Sequence, residues 1–198
     1  FWDRRARGLG ATRARPALSC GVENLLGYDG DPYAGESILV HELAHAVHEF
    51  ALAALDPTFD RRLAAAYDAA MVEDLWRGTY ASTNAHEYFA EGVQAYFDTN
   101  RAEDREHNHV DTREELRVHD PRLFTLIDEA FAGNPWRYRP PSARPRAVHL
   151  RAGREGDDAT PPRFEWPDRV IAAFEAHRAR TRRTYVPLEV HEIGGGAA

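Results

Sequence analysis

Apolar positions along the first 133 residues recur at the spacing of helices. Residues 36–55 are mostly apolar and stop at the pair Asp56-Pro57, which predicts one long helix. In residues 60–76 the apolar side chains stand three and four positions apart, so a second, amphipathic helix is expected there. The first of these is the central element of the predicted fold, and the second has a structural role.

Capping residues indicate three further helices. Asn84 precedes an apolar stripe that continues to Asp98, which predicts a third helix over this stretch. A short helix is expected over 112–117. The pair Asp120-Pro121 supplies an N-cap followed by proline at the first helical position, and it predicts a helix that runs to Gly133.

The segments around these helices complete the predicted organisation. Turn-forming residues dominate 16–35, with a short strand expected over 24–28, so we predict a mainly α fold with a small strand region before Gly35. Eight of the twelve prolines follow residue 133. This predicts a compact domain over 1–133 and a proline- and arginine-rich extension over 134–198. The extension should contain an extended arm, 134–162, and one helix, 167–180.

Composition and charge limit the classes of partner. The chain is 43% hydrophobic and 29% charged, a balance typical of a water-soluble domain. Its net charge of −7 argues against a surface built to neutralise phosphates, so no nucleic-acid partner is expected. No membrane span is expected either, because histidines and glutamates interrupt the most apolar stretch, 38–55. The chain opens with Phe1 and no leader pattern follows, so we expect the native start to be missing; secretion and oligomeric state stay open.

The residues from 41 to 45 are His-Glu-Leu-Ala-His, inside the first predicted helix. At 100° per residue, His41 and His45 lie about 40° apart on one helix face, so both imidazoles can reach one metal ion. Glu42 stands beside them but off their shared axis, where a carboxylate can act as a general base on a metal-bound water. The alternative is a pair of histidines without a metal. The single cysteine, Cys20, excludes a multi-cysteine site and is more typical of a buried or incidental thiol than of a reactive one.

A catalytic zinc site needs a third protein ligand. A third histidine six positions after the second is excluded, because Ala51 stands there, and His48 lies one further turn away, too far to share the metal easily. The third predicted helix offers two acids one turn apart, Glu87 and Glu91. Buried carboxylates there would need a partner, and a divalent cation would supply one. Farther along, His107 and His109 are favoured as part of a polar loop over a second metal site or a substrate contact.

These two helices together resemble the catalytic domain of the anthrax lethal factor family and the Pro-Pro endopeptidases grouped with it. The resemblance is carried by the His-Glu-Leu-Ala-His sequence and by Tyr80, which stands seven residues before Glu87 in a Glu-Tyr-Phe-Ala-Glu sequence. It extends over residues 36–98. It implies a zincin-like fold with one zinc ion per chain, held by His41, His45 and Glu87.

The same resemblance implies roles for the remaining residues. Glu42 would be the general base, Tyr80 would stabilise the oxyanion, and Glu91 would orient a ligand histidine. The implied function is a zinc metallopeptidase of the gluzincin type, an endopeptidase that acts on a peptide or protein substrate. Two alternatives stay open: a non-catalytic zinc-binding module, and a metal-dependent hydrolase of a non-peptide amide.

Overall fold

A computed structural model describes residues 7–141 and the separate positions 165, 168, 169, 172 and 176. The chain divides into two compact units. One contains residues 8–19 and 35–138, and the other contains the remaining described residues. The predicted boundary after residue 133 stays a prediction.

The strand region lies before Gly35, but not where the sequence predicted it. Strands β1 (Gly8–Leu9) and β2 (Ser19–Cys20) form a two-stranded sheet. The strand predicted over 24–28 is wrong, because a short helix, α1 (Val22–Leu26), occupies this stretch. Gly27 has a φ of 68°, the left-handed conformation in which glycine commonly terminates a helix.

The predicted helix over 36–55 is confirmed, with an irregularity in its second half. It consists of α2 (Ile38–Val47), a π-helical segment (His48–Leu52) and α3 (Ala53–Leu55). The second predicted helix is α4 (Phe59–Val72), which ends earlier than expected. Asp74 has a φ of 58°, outside the range of a right-handed helix, and the chain turns away there.

The third predicted helix is α5 (Ala85–Tyr96), and it is the most deeply buried helix among the described residues. The side chain of Asn84 caps it by accepting hydrogen bonds from the backbone N–H groups of His86 and Glu87. Helices α2 and α4 both contact α5. The helix therefore carries the polar side chains of Glu91 and Gln94 into the interior of the unit.

The last two predicted helices are also confirmed. Helix α6 (Arg113–His119) begins with a capping box formed by Thr112 and Glu115. Helix α7 (Pro121–Phe131) is capped by Asp120, whose buried carboxylate also accepts hydrogen bonds from the Trp76 indole and the Tyr88 hydroxyl. Both helices pack against α5.

The described residues are mainly helical, as predicted. Within the predicted helix 167–180, the described positions 168, 169, 172 and 176 are helical. The rest of that helix and the arm from 142 to 162 lie outside the described residues.

One described helical stretch, Ile38–Leu55, is long and apolar enough to cross a membrane by length and composition. Core helices of water-soluble proteins meet the same criterion, so this finding is weak evidence for a span. The stretch also carries His41, Glu42 and His45, and charged or polar groups at such positions are costly in hydrocarbon. The absence of a membrane span therefore stays a prediction.

Candidate metal centre

The structure brings the three predicted metal ligands together. His41 Nε2 lies 3.0 Å from Glu87 Oε2 and 3.1 Å from His45 Nε2, and His45 Nε2 lies 3.2 Å from Glu87 Oε2. Helix α2 supplies the two histidines on one face, and α5 supplies the carboxylate from its capped first turn. No other cluster of ligand-forming side chains at metal-binding distance occurs within the described residues.

The triangle has the size that a zinc ion requires. Zinc lies about 2.0–2.2 Å from histidine nitrogens and carboxylate oxygens. A triangle with sides of about 3.1 Å has its centre about 1.8 Å from each corner, so a point about 1 Å above its plane is at bonding distance from all three. Two imidazoles and one carboxylate are also a ligand set that zinc favours in catalytic sites. The donor set therefore fits zinc.

The ring of His41 is oriented so that its neutral form can bind a metal through Nε2. Its Nδ1 lies 2.8 Å from Gln94 Oε1 and 3.3 Å from Glu91 Oε1. Both oxygens can only accept a hydrogen bond from Nδ1, provided that Glu91 is ionised, so Nδ1 carries hydrogen. A neutral His41 then has its lone pair on Nε2, the atom that faces Glu87 and His45.

Gln94 was not among the residues predicted for the site. Its side chain is buried, and its amide donates to Ser37 O at 3.3 Å, which turns Oε1 toward His41. A signal was available in the sequence, because Gln94 follows Glu87 by seven residues and therefore lies about 20° from it around the helix. Glu87, Glu91 and Gln94 form one polar stripe on a mostly apolar helix.

The charges of the site attract a cation. Burial opposes the ionisation of Glu87, but hydrogen bonds from His41 and His45 hold its pKa at about 2. Burial lowers the pKa of His41, yet Glu87 and Glu91 outweigh it and raise this pKa well above its usual value. In the absence of a metal, the carboxylates thus stabilise a positive charge at the position of His41.

Glu42 lies on α2 with its carboxylate against strand β1. Burial raises its pKa above the usual value of a glutamate, while His41 and His45 act in the opposite direction. A β-carbon at Gly8 would overlap Glu42 Oε1, and one at Gly10 would lie 3.0 Å from the β-carbon of His45. The absence of side chains at these two glycines lets the strand pass close to the helix.

Tyr80 lies in a short 3-10 helix, Tyr80–Ser82. The ring centroids of Tyr80 and His41 are 6.0 Å apart. Burial raises the pKa of Tyr80, and the carboxylates of Glu87 and Glu91 raise it further, so the hydroxyl is neutral and can donate a hydrogen bond. Its backbone N–H donates to Glu106 O at 2.7 Å.

The other histidines considered from the sequence lie apart from the three ligands. His48 is buried between Phe59 and Phe89, and its Nε2 pairs with Asp60 at 2.9 Å, so its ring is engaged elsewhere. His109 is exposed. His107 lies in a loop, as expected, but its side chain is buried and faces Glu91.

No family model, curated protein or solved structure matches this chain. The likeness to the lethal factor family accordingly rests on the residues of two helices and on Tyr80.

Proposed function

We propose that this chain is a zinc-dependent metallopeptidase whose metal is held by His41, His45 and Glu87. The observation that carries the proposal is the triangle of ligand atoms with sides of 3.0, 3.1 and 3.2 Å, formed by side chains from two packed helices. Glu42 stands next to the first ligand, where a general base is required. The proposal is also supported by the resemblance of both sequence segments to the lethal factor family.

A catalytic site is favoured over a structural one by the number and exposure of the ligands. Structural zinc sites are closed by four protein ligands, whereas catalytic sites keep one position open. Within the described residues three candidate ligands lie close together, and their side chains are 13% (His41), 17% (His45) and 18% (Glu87) exposed. The three side chains are therefore held by the fold without being fully buried.

The proposed reaction is the hydrolysis of a peptide bond. Zinc in such a site supplies Lewis acidity, which polarises a carbonyl group and lowers the pKa of water to about 7. Glu42 takes a proton from the attacking water and passes it to the leaving amine. A carboxylate with a raised pKa suits both steps, because it holds the proton more firmly than an exposed glutamate and can still release it.

Tyr80 is proposed to stabilise the oxyanion that forms at the scissile carbonyl. Its neutral hydroxyl can donate a hydrogen bond, which strengthens as negative charge develops on the carbonyl oxygen. Glu91 and Gln94 keep the ring of His41 oriented during the reaction. The substrate is a peptide or protein, bound in an extended form across the site.

The first test is the metal content of the purified chain by mass spectrometry. The wild type should contain one zinc per chain, and Glu87→Ala should lose it because a ligand is removed. Glu42→Gln should retain it, because Glu42 is a base and not a ligand. Glu49→Gln, on the next turns of the same helical stretch, is a matched control that should change nothing. A wild-type chain without zinc would refute the proposal.

The second test is cleavage of a mixed peptide library by the same four proteins. The wild type and Glu49→Gln should cut peptides, whereas Glu42→Gln should lose activity while keeping its zinc. Zinc binding without cleavage by any protein would favour a non-catalytic zinc module. Cleavage of small amides but not of peptides would favour a hydrolase of another substrate class.

A further inference from the structure

A loop near the candidate metal centre contacts both Glu91 and the backbone of Tyr80. In residues 104–107, the side chain of Asp104 accepts hydrogen bonds from the backbone N–H groups of Glu106 and His107 and lies 2.7 Å from His107 Nδ1. Because Asp104 Oδ1 accepts all three hydrogen bonds, the loop and the ring of His107 are fixed together. The ring is buried with only 8% of the residue exposed.

The second nitrogen of this ring, Nε2, is directed toward Glu91. His107 Nε2 lies 3.4 Å from Glu91 Oε2, and Asn100 Nδ2 donates to the same oxygen at 2.9 Å. With Oε2 engaged by these two donors, the second oxygen, Oε1, faces His41 Nδ1 at 3.3 Å. A continuous row of side chains therefore leads from Asp104 through His107 and Glu91 to the metal ligand His41.

The carboxylates around His107 stabilise the protonated form of its ring. Burial lowers the pKa of His107, but the hydrogen bond to Glu91 and the charge of Glu36 outweigh it and raise this pKa to about 9. Glu36 lies 3.8 Å from His107 Nε2 and is itself paired with Arg101 at 3.2 Å. An imidazolium at position 107 thus lies among three carboxylates and compensates for the burial of Glu91.

The same loop also contacts Tyr80, the residue proposed to stabilise the oxyanion. The carbonyl of Glu106 accepts a hydrogen bond from the backbone N–H of Tyr80 at 2.7 Å. One residue later, His107 contacts Glu91. Two neighbouring residues of a single loop therefore contact the segment of Tyr80 and the residue that orients His41.

We propose that His107 is a positioning residue, which orients the zinc ligand His41 through Glu91 while Asp104 fixes the orientation of its own ring. This rests on the proposed zinc site and extends it to a residue that neither binds the metal nor touches the substrate. Residues that orient metal ligands from behind affect metal affinity about 10- to 100-fold when they are changed. His107 should therefore affect zinc affinity although it lies beyond the ligands.

Two substitutions of equal polarity distinguish this role from simple packing. In His107→Gln the side-chain amide can occupy the position of Nε2 and still donate to Glu91. In His107→Asn the amide can occupy the position of Nδ1 and pair with Asp104, but it cannot reach Glu91. His109→Gln, at an exposed histidine two residues away, is the control for general effects of the change.

The zinc dissociation constant of each purified protein would be measured by competition with a chromophoric chelator at fixed pH. Thermal unfolding of the metal-free proteins would be followed in parallel. His107→Asn should bind zinc about 10- to 100-fold more weakly than wild type, with His107→Gln close to wild type and His109→Gln unchanged. The visible spectrum of bound Co²⁺ should shift in His107→Asn alone, because the geometry of His41 changes.

Equal zinc affinities for His107→Asn and His107→Gln would overturn the positioning role. The same holds if both lose affinity only in proportion to a lowered unfolding temperature, because that would show a packing role. Affinity for zinc is measured without a peptide, so a failure to find peptidase activity leaves this test intact. A wild-type chain that binds no zinc would overturn this inference together with the proposed function.

Discussion

At the scale of single residues, the candidate metal centre depends on which buried polar atoms face one another. The two ring nitrogens of His41 are directed to different partners, Nε2 toward Glu87 and Nδ1 toward Gln94 and Glu91. A carboxylate and an amide oxygen on Nδ1 fix the tautomer that leaves Nε2 for a metal. The roles proposed for neighbouring residues can therefore be separated by changing one atom or one charge at a time.

Tyr80→Phe removes only the hydroxyl proposed to stabilise the oxyanion. We expect turnover to fall about 10²- to 10³-fold, because a hydrogen bond that strengthens in the transition state is lost. Zinc content should stay at one per chain, since Tyr80 is not a ligand. Steady-state kinetics with a peptide found in the library screen, together with metal analysis, would check this. Tyr96→Phe, which removes a hydroxyl bonded to Asp128 outside the segment of Tyr80, is the matched control. An unchanged turnover in Tyr80→Phe would exclude Tyr80 from the mechanism.

Glu106→Gln should make the metal-free protein more stable at alkaline pH. Burial raises the pKa of Glu106 to about 7, although His107 and Arg101 act against it. Since this pKa exceeds the value of about 4.5 in an unfolded chain, the stability contributed by the protonated acid is present below pH 4.5 and lost as the pH rises to 7. At pH 8 the glutamine variant should be more stable by about 2–3 kcal/mol.

Urea unfolding at several pH values would measure this difference. The wild type and Glu106→Gln should have similar unfolding free energies at acid pH and should diverge between pH 5 and 7. Glu103→Gln, at an exposed position of the same loop region, should follow the wild type throughout. A gain in stability that does not depend on pH would show that charge burial at Glu106 is not the cause.

At the scale of helices and strands, the site is formed where β1 passes over α2 and where α2 packs against α5. The spacing of His41 and His45 is a local property of one helix, so it could be predicted from the sequence. The pairing of α2 with α5 could not, because nothing local determines which helices meet. It was expected only from the resemblance of the two segments to one family.

Two predictions from the sequence were wrong or incomplete, each for its own physical reason. The run 24–28 is short and apolar, and such runs suit a buried strand and a short helix equally well. Gly27 was the informative residue, since a glycine after an apolar run commonly terminates a helix. His107 was expected in a polar loop, and its burial arises from long-range packing against Glu91, which single-sequence patterns do not contain.

Gly8→Ala should impair catalysis without removing the metal. A methyl group on this residue of β1 would overlap the carboxylate of Glu42 and the side chain of Ile38 on α2. The end of the Glu42 side chain is the more mobile of the two, so it should be displaced from its position. A displacement of about 1 Å in a reacting group can cost about 10²-fold in rate.

Turnover and zinc content of Gly8→Ala would be compared with those of Gly133→Ala. A β-carbon at Gly133 meets no atom within 4 Å, so this control should behave as the wild type. Loss of zinc in Gly8→Ala would mean that the strand supports the ligands and not the base. Full activity would mean that Glu42 tolerates the displacement or is not the base.

At the scale of the whole molecule, the unfavourable burial of charge in the site is linked to global stability. Glu42, Glu91, Glu36 and Glu106 are all buried, and acids in such positions destabilise a fold unless cations compensate. Arg101 and His107 compensate for part of this charge in the metal-free chain. A divalent cation bound to the folded state alone would contribute further.

Zinc should therefore raise the unfolding temperature of the wild-type chain. A ligand present at about 100 times its dissociation constant stabilises the folded state by about 2.7 kcal/mol. In a chain of this size that corresponds to about 5–10 °C. Differential scanning calorimetry with and without zinc would measure the shift, with Mg²⁺ as the control ion because it prefers oxygen ligands.

The variants show whether such a shift arises from the three proposed ligands. Glu87→Ala should unfold at the same temperature with and without zinc, because one ligand is missing, whereas Glu49→Ala should keep the full shift. Glu42→Gln should also keep it, since removing the base does not remove a ligand. A shift that persists in Glu87→Ala would locate the zinc elsewhere in the chain and would separate metal binding from the proposed active site.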